Sequence, residues 1–166
     1  MERRHDAEYW IERFGLRDHR EGGHFTETYA CEAVVDGETD PGPVEGERPT
    51  ATSIYYLLKG SEFSTFHRMD ADELWHFYRG DPIRLYLLDD GLETVLLGRD
   101  RFQTVVPQDT WFAAETVPDA VGGLADGYAL VGCDVTPGFD YDGYELADES
   151  LAESYEDHRD LIERLT

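Results

Sequence analysis

Residues 61–80 read Ser-Glu-Phe-Ser-Thr-Phe-His-Arg-Met-Asp-Ala-Asp-Glu-Leu-Trp-His-Phe-Tyr-Arg-Gly, two strand-like runs around an acidic turn. Side chains alternate between the two faces of a strand, so each run presents one set of residues to the same side. The predicted sets are Phe63, Thr65, His67 and Met69 in the first run, and Glu73, Trp75 and Phe77 in the second. The hairpin therefore brings His67 and Glu73 together among large apolar side chains. Such a pair can hold a metal ion, exchange protons, or form a buried polar pair in a ligand pocket.

The length and composition of the chain predict one globular domain, residues 1–166, with a single hydrophobic core. No apolar run reaches the roughly 18 residues that a membrane span needs. The N-terminus leads into an amphipathic segment rather than an apolar signal region, so we expect a cytoplasmic protein. Cys31 and Cys133 lie in apolar strand-like runs without metal-type spacing, and we interpret both as reduced core thiols.

The chain is strongly acidic, with 37 acidic and 14 basic residues and a net charge of −23. A surface of this sign repels nucleic acid phosphates and anionic lipids, so neither is an expected partner. The acidic residues are spread along the whole chain, a pattern typical of proteins that stay soluble in concentrated salt. We therefore predict a halophilic protein, and the alternative is an acidic surface that serves a basic partner.

Short strand-like runs dominate the chain and are separated by turn residues. An amphipathic helix is predicted at residues 6–14, and polar loops at 36–50 and 118–127. An alternating run covers residues 24–35, and further strands are predicted at 53–58, 62–69, 73–78, 83–88, 92–97, 102–106, 111–117 and 128–135. This spacing, without helices between the strands, predicts an all-β antiparallel sandwich or barrel.

Several of these strands are apolar on both faces, for example residues 54–58 and 83–88. One face fills the barrel, and terminal segments or a second subunit must cover the other. Ser150 and Glu153 form a capping box for a C-terminal helix. The apolar stripe of that helix is Leu151, Tyr155, His158, Ile162 and Leu165. A homodimer is a further inference from the two-faced strands.

Two motifs of the cupin superfamily have counterparts in the chain. Gly60, His67, Glu73 and Gly80 resemble the first cupin motif, with Met69 at the position of its second histidine. Residues 107–112, Pro-Gln-Asp-Thr-Trp-Phe, stand in the place of the second motif and end in Phe112 instead of a ligand histidine.

A narrower resemblance covers most of the chain. Residues 21–29, Glu-Gly-Gly-His-Phe-Thr-Glu-Thr-Tyr, occur together with Gly-Glu-Arg-Pro at 46–49, the hairpin at 63–80 and a closing Leu-Thr. This combination resembles a small family of uncharacterised cupins described as similar to sugar epimerases. The resemblance implies a cupin jelly-roll β-barrel, also called a double-stranded β-helix, with short helices at both ends, usually as a dimer. It implies no established reaction.

The resemblance also bears on metal binding and catalysis. A cupin metal site takes three histidines and one glutamate, and only His67 and Glu73 stand at those positions. We therefore predict no metal ligands and no cofactor, although a divalent metal stays an open alternative. The candidate catalytic residues are His67, as a general base, and Glu73, which orients it unless another carboxylate does so. Sugar epimerases of this fold pair such a histidine with a tyrosine; the candidates here are Tyr55, Tyr78, Tyr86 and Tyr128.

The candidate ligand-binding residues are Phe25, Glu27, Trp75, Phe77, Tyr86 and Phe112. Glu27 has the chemistry to accept hydrogen bonds from sugar hydroxyls, or to pair with Arg68 or Arg84 instead. The aromatic residues either stack on a ligand or belong to the core. The predicted function is binding of a small, polar, carbohydrate-like ligand in the barrel. The alternatives are a sugar epimerase or isomerase with His67 as base, and a metal-dependent cupin enzyme.

Overall fold

A computed structural model describes residues 5–38, 46–118 and 127–166. The strands are β1 (Arg17–Asp18), β2 (His24–Ala30), β3 (Val34–Asp36), β4 (Glu47–Pro49), β5 (Thr52–Lys59), β6 (Phe63–Met69), β7 (Asp72–Gly80), β8 (Ile83–Leu88), β9 (Leu92–Leu97), β10 (Gln103–Val106), β11 (Trp111–Thr116), β12 (Tyr128–Thr136) and β13 (Tyr144–Leu146). The α-helices are α1 (Ala7–Phe14), α2 (Glu149–Ser154) and α3 (Arg159–Arg164), with single 3₁₀ turns at Tyr141–Gly143 and Glu156–His158.

Two antiparallel sheets enclose the main core. The first sheet has the order β1-β2-β5-β12-β7-β10, the second β13-β6-β11-β8-β9, and β3 pairs separately with β4. Side chains from both sheets meet in one cluster, which includes Trp75 and Cys133 from the first sheet and Leu85 and Phe112 from the second. The prediction of an all-β antiparallel fold is confirmed.

The hairpin at residues 61–80 joins the two sheets, because β6 belongs to the second sheet and β7 to the first. Its first strand carries a bulge: Phe112 pairs with His67, whereas Ala114 pairs with Ser64. The extra residue breaks the strict alternation of faces. Phe63 therefore packs in an outer cluster, on the other side of the sheet from the cavity-lining His67 and Met69. The prediction that Phe63 shares their face is wrong for this reason.

The terminal segments cover the outer faces of the sheets, as expected from the two-faced strands. Helix α1 begins after Asp6, whose side chain accepts a hydrogen bond from the Tyr9 N–H, and it packs over Leu57 and Leu130 of the first sheet. The C-terminal segment packs over the second sheet, where Leu151, Ile162 and Leu165 are buried.

The C-terminal helix predicted as one element is broken into α2, a 3₁₀ turn and α3. Tyr155 leaves the helical region at φ −128° and ψ 62°, which ends α2. The N-cap is Asp148 rather than Ser150, because the Asp148 carboxylate accepts the hydrogen bond from the Ser150 N–H.

The predicted loops differ from the structure in part. The run at 24–35 divides into β2 and the start of β3, and the loop at 36–50 contains β4, which pairs with β3. The rest of these loops, residues 39–45 and 119–126, lies outside the described residues. Cys31 and Cys133 are both free thiols. In the part of the chain that the structure describes, no helix is long and apolar enough to cross a membrane.

Candidate functional site

A cavity of about 230 Å³ opens into the barrel and combines aromatic walls with polar side chains. Strands of both sheets line it, together with the segment before β2 and the segment around β13. The lining residues are Arg17, His19, Glu21, Phe25, Glu27, Thr52, Ile54, Tyr56, His67, Met69, Glu73, Cys133, Val135, Phe139, Tyr141 and Tyr144.

His67 is held through both nitrogens of its ring. Nδ1 lies 2.8 Å from the carbonyl oxygen of Thr65, which only accepts, so Nδ1 carries a proton. Nε2 lies 3.1 Å from Oε2 of Glu21. His67 therefore connects the Thr65 backbone to the Glu21 side chain.

Glu21 collects three contacts inside the barrel besides His67. Ser64 Oγ donates to Oε1 at 3.0 Å, and the Tyr144 hydroxyl donates to Oε2 at 3.1 Å. His19 Nδ1 lies 3.7 Å from Oε2 and accepts a hydrogen bond from the Glu21 backbone N–H. Glu21 is the centre of the polar group in the cavity.

Two glycines bring Glu21 to this position. Gly22 has φ 103°, and a β-carbon there would collide with the carbonyl oxygen of Phe63. Gly23 has φ 75°, and a β-carbon there would lie 2.8 Å from the carbonyl oxygen of Leu57. Only glycine combines positive φ with this closeness to two strands. The Glu-Gly-Gly sequence thus presses the chain against β5 and β6 and directs Glu21 into the barrel.

Glu73 is a buried carboxyl group that forms no ion pair with any of the described residues. The Trp75 indole N–H donates to Oε2 at 2.9 Å, and the Cys133 thiol donates to the same carboxyl. Burial, reinforced by the charge of Glu21, raises the pKa of Glu73 to about 8. Glu73 is therefore protonated at neutral pH.

The neighbouring titratable groups are also neutral. Burial lowers the pKa of His19, and it raises the pKa of Tyr144, with a second contribution from the Glu21 carboxylate. Tyr56 donates to the carbonyl oxygen of Gly22 at 2.6 Å, and burial raises its pKa well above the usual value. The cavity thus offers hydrogen-bonding groups of both kinds.

The sequence model of the DUF985 family, which is part of the cupin superfamily, matches residues 8–147. The chain belongs to this family. The membership predicted from the Glu-Gly-Gly and hairpin motifs is confirmed.

Solved structures similar to this cupin support the same assignment. A hypothetical protein from Leishmania major is 31% identical, with a TM-score of 0.85, over 98% of this chain and 99% of that chain. A protein from Shewanella oneidensis is 32% identical, with a TM-score of 0.84, over 98% of both chains. The capsular polysaccharide assembling protein CapF from Staphylococcus aureus is 14% identical, with a TM-score of 0.54, over 80% of this chain and 34% of that chain. The last likeness shows the fold alone. No curated protein matches the chain.

The residues at the cupin metal positions do not fit a set of three histidines and one glutamate. Met69 and Phe112 stand where two of the histidines would be, and the Glu73 carboxyl holds its proton at neutral pH. The Phe112 ring, at the position of a ligand histidine, lies 4.1 Å from the His67 ring between centroids. Among the described residues, no group of three or more His, Cys, Asp and Glu side chains is arranged to hold a metal ion.

The structure brings four of the predicted site residues to the cavity wall and two more behind it. His67, Glu73, Phe25 and Glu27 line the cavity. Phe112 packs on the His67 ring, and Trp75 lies in the core between Tyr56 and Phe112. Among the described residues no hydrogen bond joins His67 to Glu73, and Nε2 of His67 lies instead 3.1 Å from Oε2 of Glu21.

Phe77 and Tyr86 lie away from the cavity, contrary to their prediction as ligand-binding residues. Tyr86 alternates with Leu85 and Leu87, which face the core, so its ring turns outward and its hydroxyl donates to Glu115 at 2.6 Å. Phe77 lies four residues beyond Glu73 on β7, or roughly 13 Å along the strand. There it packs near Gly98.

Two further expectations differ from the structure. Glu27 pairs with neither predicted arginine: Arg68 binds Glu145 at 2.7 Å, and Arg84 is placed near Glu115. The cavity tyrosines are Tyr56, Tyr141 and Tyr144, whereas the predicted candidates Tyr55, Tyr78, Tyr86 and Tyr128 are not among its lining residues.

Sequence reasoning missed Glu21 and Tyr144 as site residues. Glu21 had a signal, because two glycines directly after a carboxylate indicate a backbone pressed against its neighbours. Tyr144 had none, since it lies in an aromatic-rich segment outside every predicted strand and enters the site through a contact distant in sequence.

Proposed function

We propose that this cupin binds a small, polar, carbohydrate-like molecule in the cavity. The volume of about 230 Å³ is below the roughly 300–1,000 Å³ of sites for drug-sized ligands, and suits a single ring. Aromatic side chains supply surfaces on which the C–H face of a sugar ring packs, and the polar side chains supply partners for its hydroxyls.

The observation that carries the proposal is the polar group of Glu21, His67 and Glu73 inside an aromatic cavity. These side chains are almost completely buried, and burying polar groups is costly unless they are hydrogen-bonded. A core selected for stability alone avoids that cost with apolar residues. Polar side chains gathered around a space of ligand size are the usual composition of a binding site.

Saturation-transfer NMR with a panel of monosaccharides tests the proposal. Ile54→Trp fills the cavity from β5, and Val105→Trp adds the same side chain on β10, where residue 105 is exposed. We expect at least one sugar to show transfer with the wild type and with Val105→Trp, and none with correctly folded Ile54→Trp. Equal transfer to the two tryptophan variants would place binding outside the cavity and refute the proposal.

A second candidate function is proton transfer at a carbon next to a carbonyl group of such a ligand, as in an epimerase or isomerase. The connected chain Tyr144–Glu21–His67 favours it. Nδ1 of His67 lies at the Thr65 carbonyl oxygen and its Nε2 faces Glu21, so Glu21 rather than His67 is the group that meets the substrate. In this reaction the C–H proton passes to the Glu21 carboxylate, and the electron pair of that bond forms an enediolate. Return of the proton from Glu21 to the neighbouring carbon gives the isomer.

Deuterium exchange from solvent into the bound sugars tests this second candidate. We expect exchange with the wild type and a loss of about 100-fold or more in Glu21→Gln, the range typical of a general base. Glu163→Gln, an exposed carboxylate on α3, is the control and should exchange at the wild-type rate. Sugars that bind without exchange, or exchange that Glu21→Gln leaves unchanged, would rule out this reaction for them.

A further inference from the structure

Two arginines lie against aromatic rings of the cavity lining, and neither forms an ion pair with a carboxylate among the described residues: Arg17 is itself a lining residue, whereas Arg20 lies beside the lining. Arg17 lines the cavity and its guanidinium lies 5.1 Å from the centroid of the Phe25 ring. Arg20 lies 4.0 Å from the centroid of the Tyr141 ring, and both rings line the cavity as well. Stacking on an aromatic face orients a guanidinium while its N–H donors stay available.

This arrangement stands out in a chain with 37 acidic and 14 basic residues. Arg68 has a carboxylate oxygen at 2.7 Å, and Arg164 has one at 2.6 Å. Arg17 and Arg20 differ from these two arginines, because among the described residues neither is paired with a carboxylate oxygen.

The charges around the cavity favour an anion at its rim. Glu73 is protonated because its pKa lies at about 8, burial keeps His19 neutral by lowering its pKa, and the Glu21 side chain lies against His67. At the rim, Arg17 and Glu27 are the exposed charged residues of the lining, and Arg20 adds a second cation beside the Tyr141 ring.

We infer that the ligand carries an anionic oxygen group, a carboxylate or a phosphate, which Arg17 and Arg20 bind at the rim while the ring of the ligand lies inside. This inference rests on the proposed function and names the class of its ligand. Guanidinium groups bind both anions through paired hydrogen bonds. Glu27 then accepts from a ligand hydroxyl beside the anion.

Matched sugars test this assignment by isothermal titration calorimetry at neutral pH. The probes are D-glucose, D-glucuronate and D-glucose 1-phosphate, and the corresponding three compounds of the galactose series. We expect one anionic member to bind about tenfold tighter than its neutral parent, the size of a charge-assisted hydrogen bond. A preference for the uronate identifies a carboxylate ligand, and a preference for the sugar phosphate identifies a phosphate ligand.

The double variant Arg17→Gln/Arg20→Gln should lose this preference and keep the affinity for the neutral sugar. Arg13→Gln/Arg79→Gln is the control with the same change in net charge, at two arginines that do not line the cavity, and should keep the preference. Equal binding of neutral and anionic sugars by the wild type would overturn this inference and leave the proposed function standing. Equal loss of the preference for the anionic sugar in the two double variants would also overturn this inference. Absence of binding by all six sugars would overturn both this inference and the proposed function.

Discussion

Glu73 is a carboxyl group that the fold keeps protonated. It is 6% exposed, its partners are the Trp75 indole and the Cys133 thiol, and the Glu21 carboxylate lies near enough to oppose its ionisation. The acid proton has no strong acceptor among these groups. It is therefore available to a ligand oxygen, and Glu73 acts as a hydrogen-bond donor rather than as an anion.

Replacing Glu73 with Gln should change how stability depends on pH. The folded protein keeps the Glu73 proton up to a pKa of about 8, whereas the unfolded chain releases it near 4.5. The contribution of Glu73 to the free energy of unfolding is therefore lost as pH rises through this window, by up to about 1.4 kcal/mol per pH unit. Because Gln does not ionise, Glu73→Gln should gain stability relative to the wild type across the same window.

Urea unfolding at several pH values measures this difference. Glu163→Gln removes an exposed carboxylate and serves as the control, since it should leave the pH profile of the wild type unchanged. A constant difference between Glu73→Gln and the wild type at all pH values would show that Glu73 is ionised in the folded protein.

At the scale of elements, the site depends on two local departures from regular strand geometry. The bulge in β6 turns Ser64 and His67 toward the same side, where both contact Glu21. The Gly22–Gly23 segment packs directly against β5 and β6, and Glu21 therefore lies next to these strands. Both features bring members of the polar group together around Glu21.

Alanine at Gly22 should therefore disturb the site more than alanine at another glycine with positive φ. Gly22 has φ 103° and no room for a β-carbon, whereas Gly46 has φ 69° and open space around it. We expect Gly46→Ala to cost about 1 kcal/mol in the free energy of unfolding from the backbone conformation alone. Gly22→Ala should cost more than about 2 kcal/mol because the backbone must also move away from Phe63.

Denaturant unfolding compares the two variants, and sugar binding by Gly22→Ala reports the position of Glu21. If the two substitutions destabilise the protein equally, the closeness of Gly22 to Phe63 on β6 adds nothing to the free-energy cost of an alanine at positive φ. Unchanged sugar binding by Gly22→Ala would show that the position of Glu21 does not depend on this glycine.

At the scale of the whole molecule, the net charge of −23 opposes the compact state. Carboxylates repel each other over distances comparable to the Debye length, about 10 Å in 0.1 M salt and about 3 Å in 1 M salt. The halophilic character and the homodimer predicted from the sequence are both properties of the protein surface. Both stay predictions. Sedimentation equilibrium over a range of protein concentrations tests the dimer.

Added salt should stabilise the protein by screening this repulsion. We expect the melting temperature to rise between about 0.1 M and 1 M KCl, where the Debye length falls about threefold. A variant with several exposed acidic residues changed to Gln or Asn should show a smaller rise, because less repulsion is left to screen. A melting temperature that is independent of KCl in both proteins would contradict the electrostatic explanation.

Local signals in the sequence determine much of the architecture. Alternating apolar residues place the strands, and turn residues such as Asp90-Gly91 separate them, since both effects act between neighbours in the chain. The Glu-Gly-Gly and hairpin motifs identify the cupin family, and Phe25, Glu27, His67 and Glu73 were found as cavity residues from the same signals.

Only the tertiary structure decides which groups meet inside the barrel. The partner of His67 is Glu21, which lies on a segment far away in sequence, and Tyr144 joins them from the other end of the chain. The alternation of side chains between the two faces of a strand fails at the β6 bulge, where one extra residue changes the face. In β8 the alternation holds, but it does not tell which face is the inner one, so Tyr86 was assigned to the wrong side. The physical reason is that periodicity records alternation along one strand, whereas the site depends on register and contacts between strands.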